Sequence, residues 1–432
     1  MGRLVLIAVR NLLQHKRRTF LVGGATVAVT IMLILLLGLA NGIEQTMLRS
    51  ATTLSTGHVN VGGFFKITSG QAAPVVTKFQ AVRDFVLQNV PEVRLAVDRA
   101  RGWGKIVSDK SSKQVGIVGV DVQAEKDFKG VLQLVSGNLD DLAQPATCLI
   151  FESQATRLAL QVGDVATLST PTFRGAYNSM DVKVVAIAKD VGLISSFNII
   201  VQKQTVRDLY LLDDNATGAI QLYLEDPTKT EEVAERLRKL LAEHYPVIDA
   251  QSTPFWQKFQ VVTREDWTGQ KLDVSTWKDE LSFVAWVLDL VRGVTTAFTS
   301  VLMIIILIGV MNSMWMSIRE RTREIGTLRA IGMGKSRVLL MFLMEASLLS
   351  VVATLVGAGL GIGLAGIINA AQVKVPQALM LFLMRDTLHL AVTPAAVAVS
   401  VLVISGVTTL FALYPAYRAT RLKPITAIHD VG

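Results

Sequence analysis

Gly334-Lys335-Ser336 has the residue types of the tail of a phosphate-binding loop, where backbone N–H groups and a lysine would cradle a nucleotide. The earlier glycine such a loop needs falls on Arg329, and no strand pattern leads into it, so nucleotide binding is not assigned. The histidines His15, His58, His244, His389 and His429 are scattered, without an H-x3-H or C-x2-C partner, so no zinc site is expected. Cys148 is the single cysteine, which excludes an intramolecular disulfide. No G-x-S-x-G elbow and no H-E-x-x-H helix occurs. The sequence therefore offers no catalytic residue, no metal ligand and no cofactor site of its own.

Chemistry of another kind is concentrated in Ser317 to Ile331. Ile318, Ile325 and Leu328 fall near one helical face, Arg319 with Arg323 and Glu320 with Glu324 occupy successive turns, and Arg321 lies three residues before Glu324. Gly332 and Gly334 supply the expected stop. Two readings fit: a charged helix that simply marks one side of a membrane, or a rigid element that carries motion from a soluble partner into the flanking apolar runs. The second requires that partner to bring the ATP site.

The flanking elements make the chain an integral membrane protein. Its 432 residues are 51% hydrophobic with mean hydropathy +0.44, and four runs approach the roughly 20 apolar residues that cross a bilayer. Lysine and arginine collect before the first run (Arg3, Arg10, Lys16, Arg17, Arg18), between the second and third (Arg319, Arg321, Arg323, Arg329, Lys335, Arg337) and after the fourth (Arg418, Arg421, Lys423), placing these three segments inside. Much of the +8 net charge is thus topology, and nucleic-acid binding is not invoked. The expected fold is an α-helical membrane protein with four transmembrane helices and a large α+β extracytoplasmic domain inserted between spans one and two. The expected order is an interfacial amphipathic helix over 1–18, spans over 19–42, 291–316, 338–372 and 390–417, the domain over 43–290, a cytoplasmic helix and loop over 317–337, a short outer loop over 373–389, and a cytoplasmic tail over 418–432.

The first run is too long for a typical signal peptide and lacks an A-x-A site, so it is read as a retained anchor. Met1 to Gln14 reads either as a helix lying at the inner interface or as an extension of the first span. The domain must hold itself together by its own core. Strand patterns occur at His58 to Phe65, Gln114 to Val120, Cys148 to Phe151, Val182 to Ala188, Asn198 to Val201 and Ile220 to Leu224, and helices at Gln80 to Asn89 and Thr230 to His244. Two lobes are expected, the inserted one near 125–215.

Asn312 to Glu345, with Glu320, Arg321, Thr322, Arg323, Glu324, Ile325, Gly326, Leu328, Arg329, Ala330 and Gly332 in place, resembles the signature of the type VII ABC transporter permeases, the MacB, FtsX and LolC/LolE superfamily. The ending around Pro415, Ala416, Ala419 and Pro424 to Ala427 is similar to that family's ending, and Glu152 to Leu168 looks like its helix, G-D turn and strand segment. The resemblance implies a permease that pairs with a second permease, the same chain or a paralogue, and with a cytoplasmic ABC ATPase dimer that binds ATP and Mg. It further implies a bacterial inner-membrane location and a docking helix made of Ile318, Arg319, Glu320, Arg321, Arg323, Glu324, Ile325, Leu328 and Arg329. Hydrolysis would be relayed as movement of the outer domains.

Ser55 to Val61, STGHVNV, is similar to an element of the lipoprotein-releasing LolC/LolE branch, which implies extraction of lipoproteins and their transfer to a periplasmic carrier chaperone. An acyl groove would then draw on Phe64, Phe65, Phe283, Trp286, Leu290, Leu379, Leu381 and Phe382, residues that otherwise read as span-end anchors. Val375 to Met384 could lie beside it as an interfacial helix. The alternatives are a MacB-like exporter of peptides or small amphiphiles with an adaptor protein, and an FtsX-like activator of cell-wall hydrolases. Gly357, Gly359, Gly361, Gly363 and Gly366 allow close helix approach, either within the chain or at a dimer seam. Glu345, apolar on both sides, needs a buried partner, expected among the cytoplasmic arginines.

Overall fold

The computed structural model describes residues 2–14, 16–68, 71–172, 175–248, 255–376, 380 and 383–421. It divides into two compact units. One comprises Met1–Gln45, Asp289–Lys374 and Thr387–Gly432, and the other Thr46–Leu288 with Val375–Asp386.

The first unit is helical. Among the described residues, four helices are long and apolar enough to cross a membrane: Thr19–Thr56, Ser282–Glu320, Lys335–Ala370 and Pro394–Thr420. The first two overrun the expected 19–42 and 291–316, because helical hydrogen bonding does not stop where hydropathy falls. The second runs on through Ile318, Arg319 and Glu320, so the expected helix over Ser317 to Ile331 is instead the end of a membrane helix plus a separate nine-residue helix, Thr322–Ala330. The Thr19 hydroxyl donates to the Leu12 carbonyl at 2.9 Å across seven residues. A straight helix would separate those residues by about 10 Å along its axis, so the N-terminal helix Gly2–Gln14 is not a simple extension of the first span.

Helices three and four pack along each other through a buried hydroxyl ladder. Ser350 meets Thr408 at 2.5 Å and Thr354 meets Ser405 at 3.1 Å, with Thr354 and Thr408 also donating to carbonyls one turn back. In an apolar surround each such hydroxyl must find a partner, and the shared bonds fix the register of the pair. At the far end the Asn369 side chain donates to the Leu390 carbonyl (3.0 Å) and accepts from the Leu390 N–H (2.8 Å).

The second unit is a mixed α/β domain between the first two long helices. Its main sheet runs Gly269–Thr276, Val59–Thr68, Ala219–Leu224, Val93–Val107, Ser112–Val120, Asn198–Gln202, Thr147–Phe151, Tyr177–Ala188, Leu134–Gly137. Strand Val93–Val107 joins two lobes: residues 93–99 pair with Ala219–Leu224, and residues 100–107 with Ser112–Val120. In the first lobe, helices Phe79–Asn89 and Thr230–Ala242 bury Val82, Val86, Val233, Leu237 and Leu241 with Val59, Val61, Ile220 and Leu222 of the sheet. The second lobe has its own core, including Ile106, Val115, Ile117, Cys148, Leu168 and Val201. That core starts at Ala100, well ahead of the expected boundary at residue 125, because the linking strand serves both lobes.

Candidate coupling site

Arg321 organises the junction below helices two and three. It breaks the helix with φ −109° and ψ 17°, while Thr322 covers the ending by donating to the Ile318 and Arg319 carbonyls. Its buried guanidinium then reaches three ways. Nη1 donates to Glu345 Oε2 at 3.1 Å, Nε donates to Glu324 Oε2 at 2.9 Å, and the group lies 5.6 Å from the centre of the Phe342 ring. The Asn11 side-chain oxygen, with its amide turned to face the arginine, accepts from Nη2 at 2.9 Å and Nη1 at 3.1 Å. Both partners in the Arg321–Glu345 pair are almost fully buried, so removal of Arg321 takes a buried charge partner from Glu345 at a large cost, whereas Arg321 without Glu345 keeps Glu324. Glu345 thus has an arginine partner.

The short helix is held by Ile325, which shares a buried cluster with Ile318, Met341, Phe342, Ala412 and Ala416 of the long helices, and Gly326 beside it is buried too. Arg329 donates to the Thr420 carbonyl at 2.9 Å, satisfying an orphan acceptor at the end of helix four. Gly332 closes the helix at φ +101°, a conformation costly for any residue with a Cβ, whereas Gly334 caps the start of helix three rather than ending the short one.

The structure therefore sorts the predicted docking residues. Ile318, Arg321 and Ile325 are buried, Leu328 and Arg329 are half-buried, and Arg319, Glu320, Arg323 and Glu324 are exposed. Exposed Thr327, Ala330 and Ile331 join the last group. Asn11 and Phe342 were invisible to sequence reasoning, since their role depends on a fold that brings residues 11, 321 and 342 together.

Of the glycines of helix three, Gly357 and Gly361 face the first helix. A Cβ on Gly357 would lie 2.7 Å from Thr30 Cβ and 2.9 Å from the Val27 carbonyl, and one on Gly361 would lie 3.2 Å from Ile34 Cβ. Nothing described lies within 4 Å of the corresponding position at Gly359, Gly363 or Gly366.

At the other end of the first helix, Thr52–Thr56 form a π-turn locked to the α/β domain. Buried Arg99 donates from Nη1 to the Leu54 carbonyl (3.1 Å) and from Nη2 to the Thr53 carbonyl (3.2 Å), and pairs with Glu125. Tyr223, its hydroxyl pushed up to about 12 by burial and so a firm donor, bonds the Thr52 carbonyl at 3.2 Å. His58, from the STGHVNV element, accepts the Leu224 N–H on Nδ1 at 2.9 Å and meets the Tyr223 ring edge-on. Burial, with help from Arg94, lowers its pKa to about 4. These contacts give the motif a structural task.

The residues named for an acyl groove differ in burial. Phe64 turns into a core with Ile248 and Val262, because successive strand residues face opposite ways, and Phe65 is half-buried on the other face. Phe283, Trp286 and Leu290 form an exposed stripe on the second helix, with the Phe283 and Trp286 rings 6.1 Å apart. Leu379, Leu381 and Phe382 lie outside the described residues, as do half of the expected Val375 to Met384 helix and the Pro424 to Ala427 ending.

Comparison with known proteins gives two family matches: the MacB-like periplasmic core domain over residues 21–240 and the FtsX-like permease C-terminal region over 296–424. The pyoverdine export ATP-binding/permease protein PvdT of Pseudomonas fluorescens (strain Pf0-1) is 39% identical over 121 residues, 28% of this chain and 16% of that protein. The macrolide export ATP-binding/permease protein MacB of Nitrobacter winogradskyi is 39% identical over 137 residues, 31% of this chain and 18% of that protein. The alignments thus span under a fifth of either relative. The solved periplasmic region of MacB from Actinobacillus actinomycetemcomitans is 17% identical, with TM-score 0.29, and covers 44% of this chain and 85% of that one.

Proposed function

The chain belongs to the ABC transporter permeases of the MacB/FtsX type, and from that membership we propose that it converts ATP hydrolysis by a separate cytoplasmic ATPase dimer into movement of its α/β domain. The observation that carries this reading is the short helix Thr322–Ala330: its buried side is fastened by Arg321, Glu345 and Ile325, while its other side presents Arg323 and Glu324, next to the exposed Arg319 and Glu320 at the end of helix two. A partner pressing on that charged face would act on helices that are already locked together, and the Arg99 cluster would hand the motion on to the sheet. In this reading the termini and the short helix are cytoplasmic, the α/β domain is periplasmic, and the membrane is a bacterial inner membrane. Two permeases would act together, and the open faces of Gly359, Gly363 and Gly366 are where a second copy or a paralogue could approach closely.

For the cargo we favour outward movement of a peptide or small amphiphile with an adaptor protein, since the relatives named above are export proteins. Extraction of lipoproteins with a carrier chaperone is the second reading, favoured by Ser55 to Val61, although His58 there already has structural work. The test is mass spectrometry, including lipid-modified peptides, of what co-purifies from mildly solubilised membranes with hydrolysis blocked. An ATPase with an adaptor supports export, and an ATPase with triacylated lipoproteins supports extraction. An ATPase with a cell-wall hydrolase instead points to FtsX-like signalling, and recovery of no ATPase contradicts the relay.

A further inference from the structure

A cleft of about 1140 Å³ opens in the α/β domain and, Ser55 and Phe65 apart, uses none of the residues assigned above. Its floor is one face of the second lobe's sheet, where Arg101, Trp103 and Lys105 alternate along strand Val93–Val107. Phe65 and Phe259 of the first lobe line it as well.

Trp103 is held in an exposed position by its surroundings. Its N–H donates to the Tyr210 hydroxyl at 2.7 Å, and its carbonyl accepts from the Tyr210 hydroxyl and from Thr170 Oγ1, each at 2.8 Å. Across the ladder stands Gly116, so no cross-strand side chain covers the indole. A Cβ there would meet Asn198 Oδ1 at 2.2 Å, which keeps that position small. The indole is left 55% exposed and Phe197, also lining the cleft, 53% exposed. Exposed aromatic surface in a concavity of ligand size marks a binding site more often than chance exposure does.

The charges narrow the ligand. Among the described lining residues Arg101 and Lys105 are cationic and Glu280 is anionic, two against one, and Arg101 Nη1 already donates to Glu280 Oε2 at 2.8 Å. Lys105 is exposed, two residues beyond Trp103 on the same face, about 7 Å along the strand. We propose that this cleft binds an elongated amphiphile bearing one anionic group, a carboxylate or sulfonate, with its apolar body on Trp103 and its anion at Lys105. The proposal deepens the transport reading by naming a cargo class, but binding is measured here without ATP, so either can fail alone.

The test is fluorine NMR of the full chain in lipid nanodiscs, with its six tryptophans replaced by 5-fluorotryptophan and the Trp103 signal assigned by its loss in Trp103→Phe. Octanoate should shift that signal saturably, and octyltrimethylammonium should need at least ten-fold more ligand for the same shift. Lys105→Glu should raise the octanoate midpoint at least ten-fold while the other five signals stay in place. Absence of a saturable shift, an equal response to the cation, or an unchanged midpoint in Lys105→Glu would each overturn the proposal.

Discussion

His58 and Arg99 set the behaviour of the joint between the first helix and the sheet. The native state keeps His58 neutral, with its pKa lowered to about 4, whereas the unfolded chain takes up a proton below the ordinary histidine value of 6.5. Stability from this site is therefore complete above pH 6.5, falls as the pH drops from 6.5 to about 4, and then levels off. After allowance for partial exposure the loss is about 2 kcal/mol, and His58→Gln should flatten that part of a denaturation-versus-pH curve. Arg99→Met leaves Glu125 buried without its charge partner and should cost about 3–5 kcal/mol. Adding Glu125→Gln should restore part of this, a non-additivity measurable by thermal denaturation in nanodiscs. The sequence displayed these charges but not their burial: Arg94, Asp98, Arg99, Arg101 and Lys105 break the alternation of strand Val93–Val107, so the longest strand of the domain escaped a pattern search based on apolar residues.

Elements with strong local patterns were legible. Thr230–Ala242 and Phe79–Asn89 follow their apolar spacing closely, and the four long apolar helices stand out by hydropathy. What could not be read was how one element continues into the next: the helix break at Arg321, and the early start of the second lobe at Ala100. Both depend on long-range contacts. The glycines of helix three illustrate the same division, since their spacing suggested close packing and only the fold shows which ones provide it. Gly357→Leu should destabilise the helix pair by about 1–3 kcal/mol through overpacking against Thr30, while Gly359→Leu should leave the single chain's thermal stability unchanged. If the open glycine face is the seat of a second permease, Gly359→Leu should instead lower the dimer fraction in cross-linking. Arg321→Met, which removes the arginine partner of Glu345, should retain ATPase binding yet lower stimulated hydrolysis at least ten-fold, as measured by phosphate release in reconstituted membranes.

On the scale of the whole molecule, family and architecture were readable from the ERTREIG segment and the apolar runs, because a charged helix between two spans is a local feature in sequence. Cargo was not readable. Strand alternation sends Phe64, one of the residues named for an acyl groove, to the core, and the exposed Trp103 sits between glycines in a charged strand. The central claim is that the exposed side of the short helix receives the ATPase. Photo-cross-linking in native membranes tests it most directly, with a photoreactive residue placed singly at Arg323, Thr327 or Ile325. The account predicts adducts to an ABC ATPase from exposed positions 323 and 327 and none from buried position 325. Adducts absent from all three, or equally strong from 325, would contradict it.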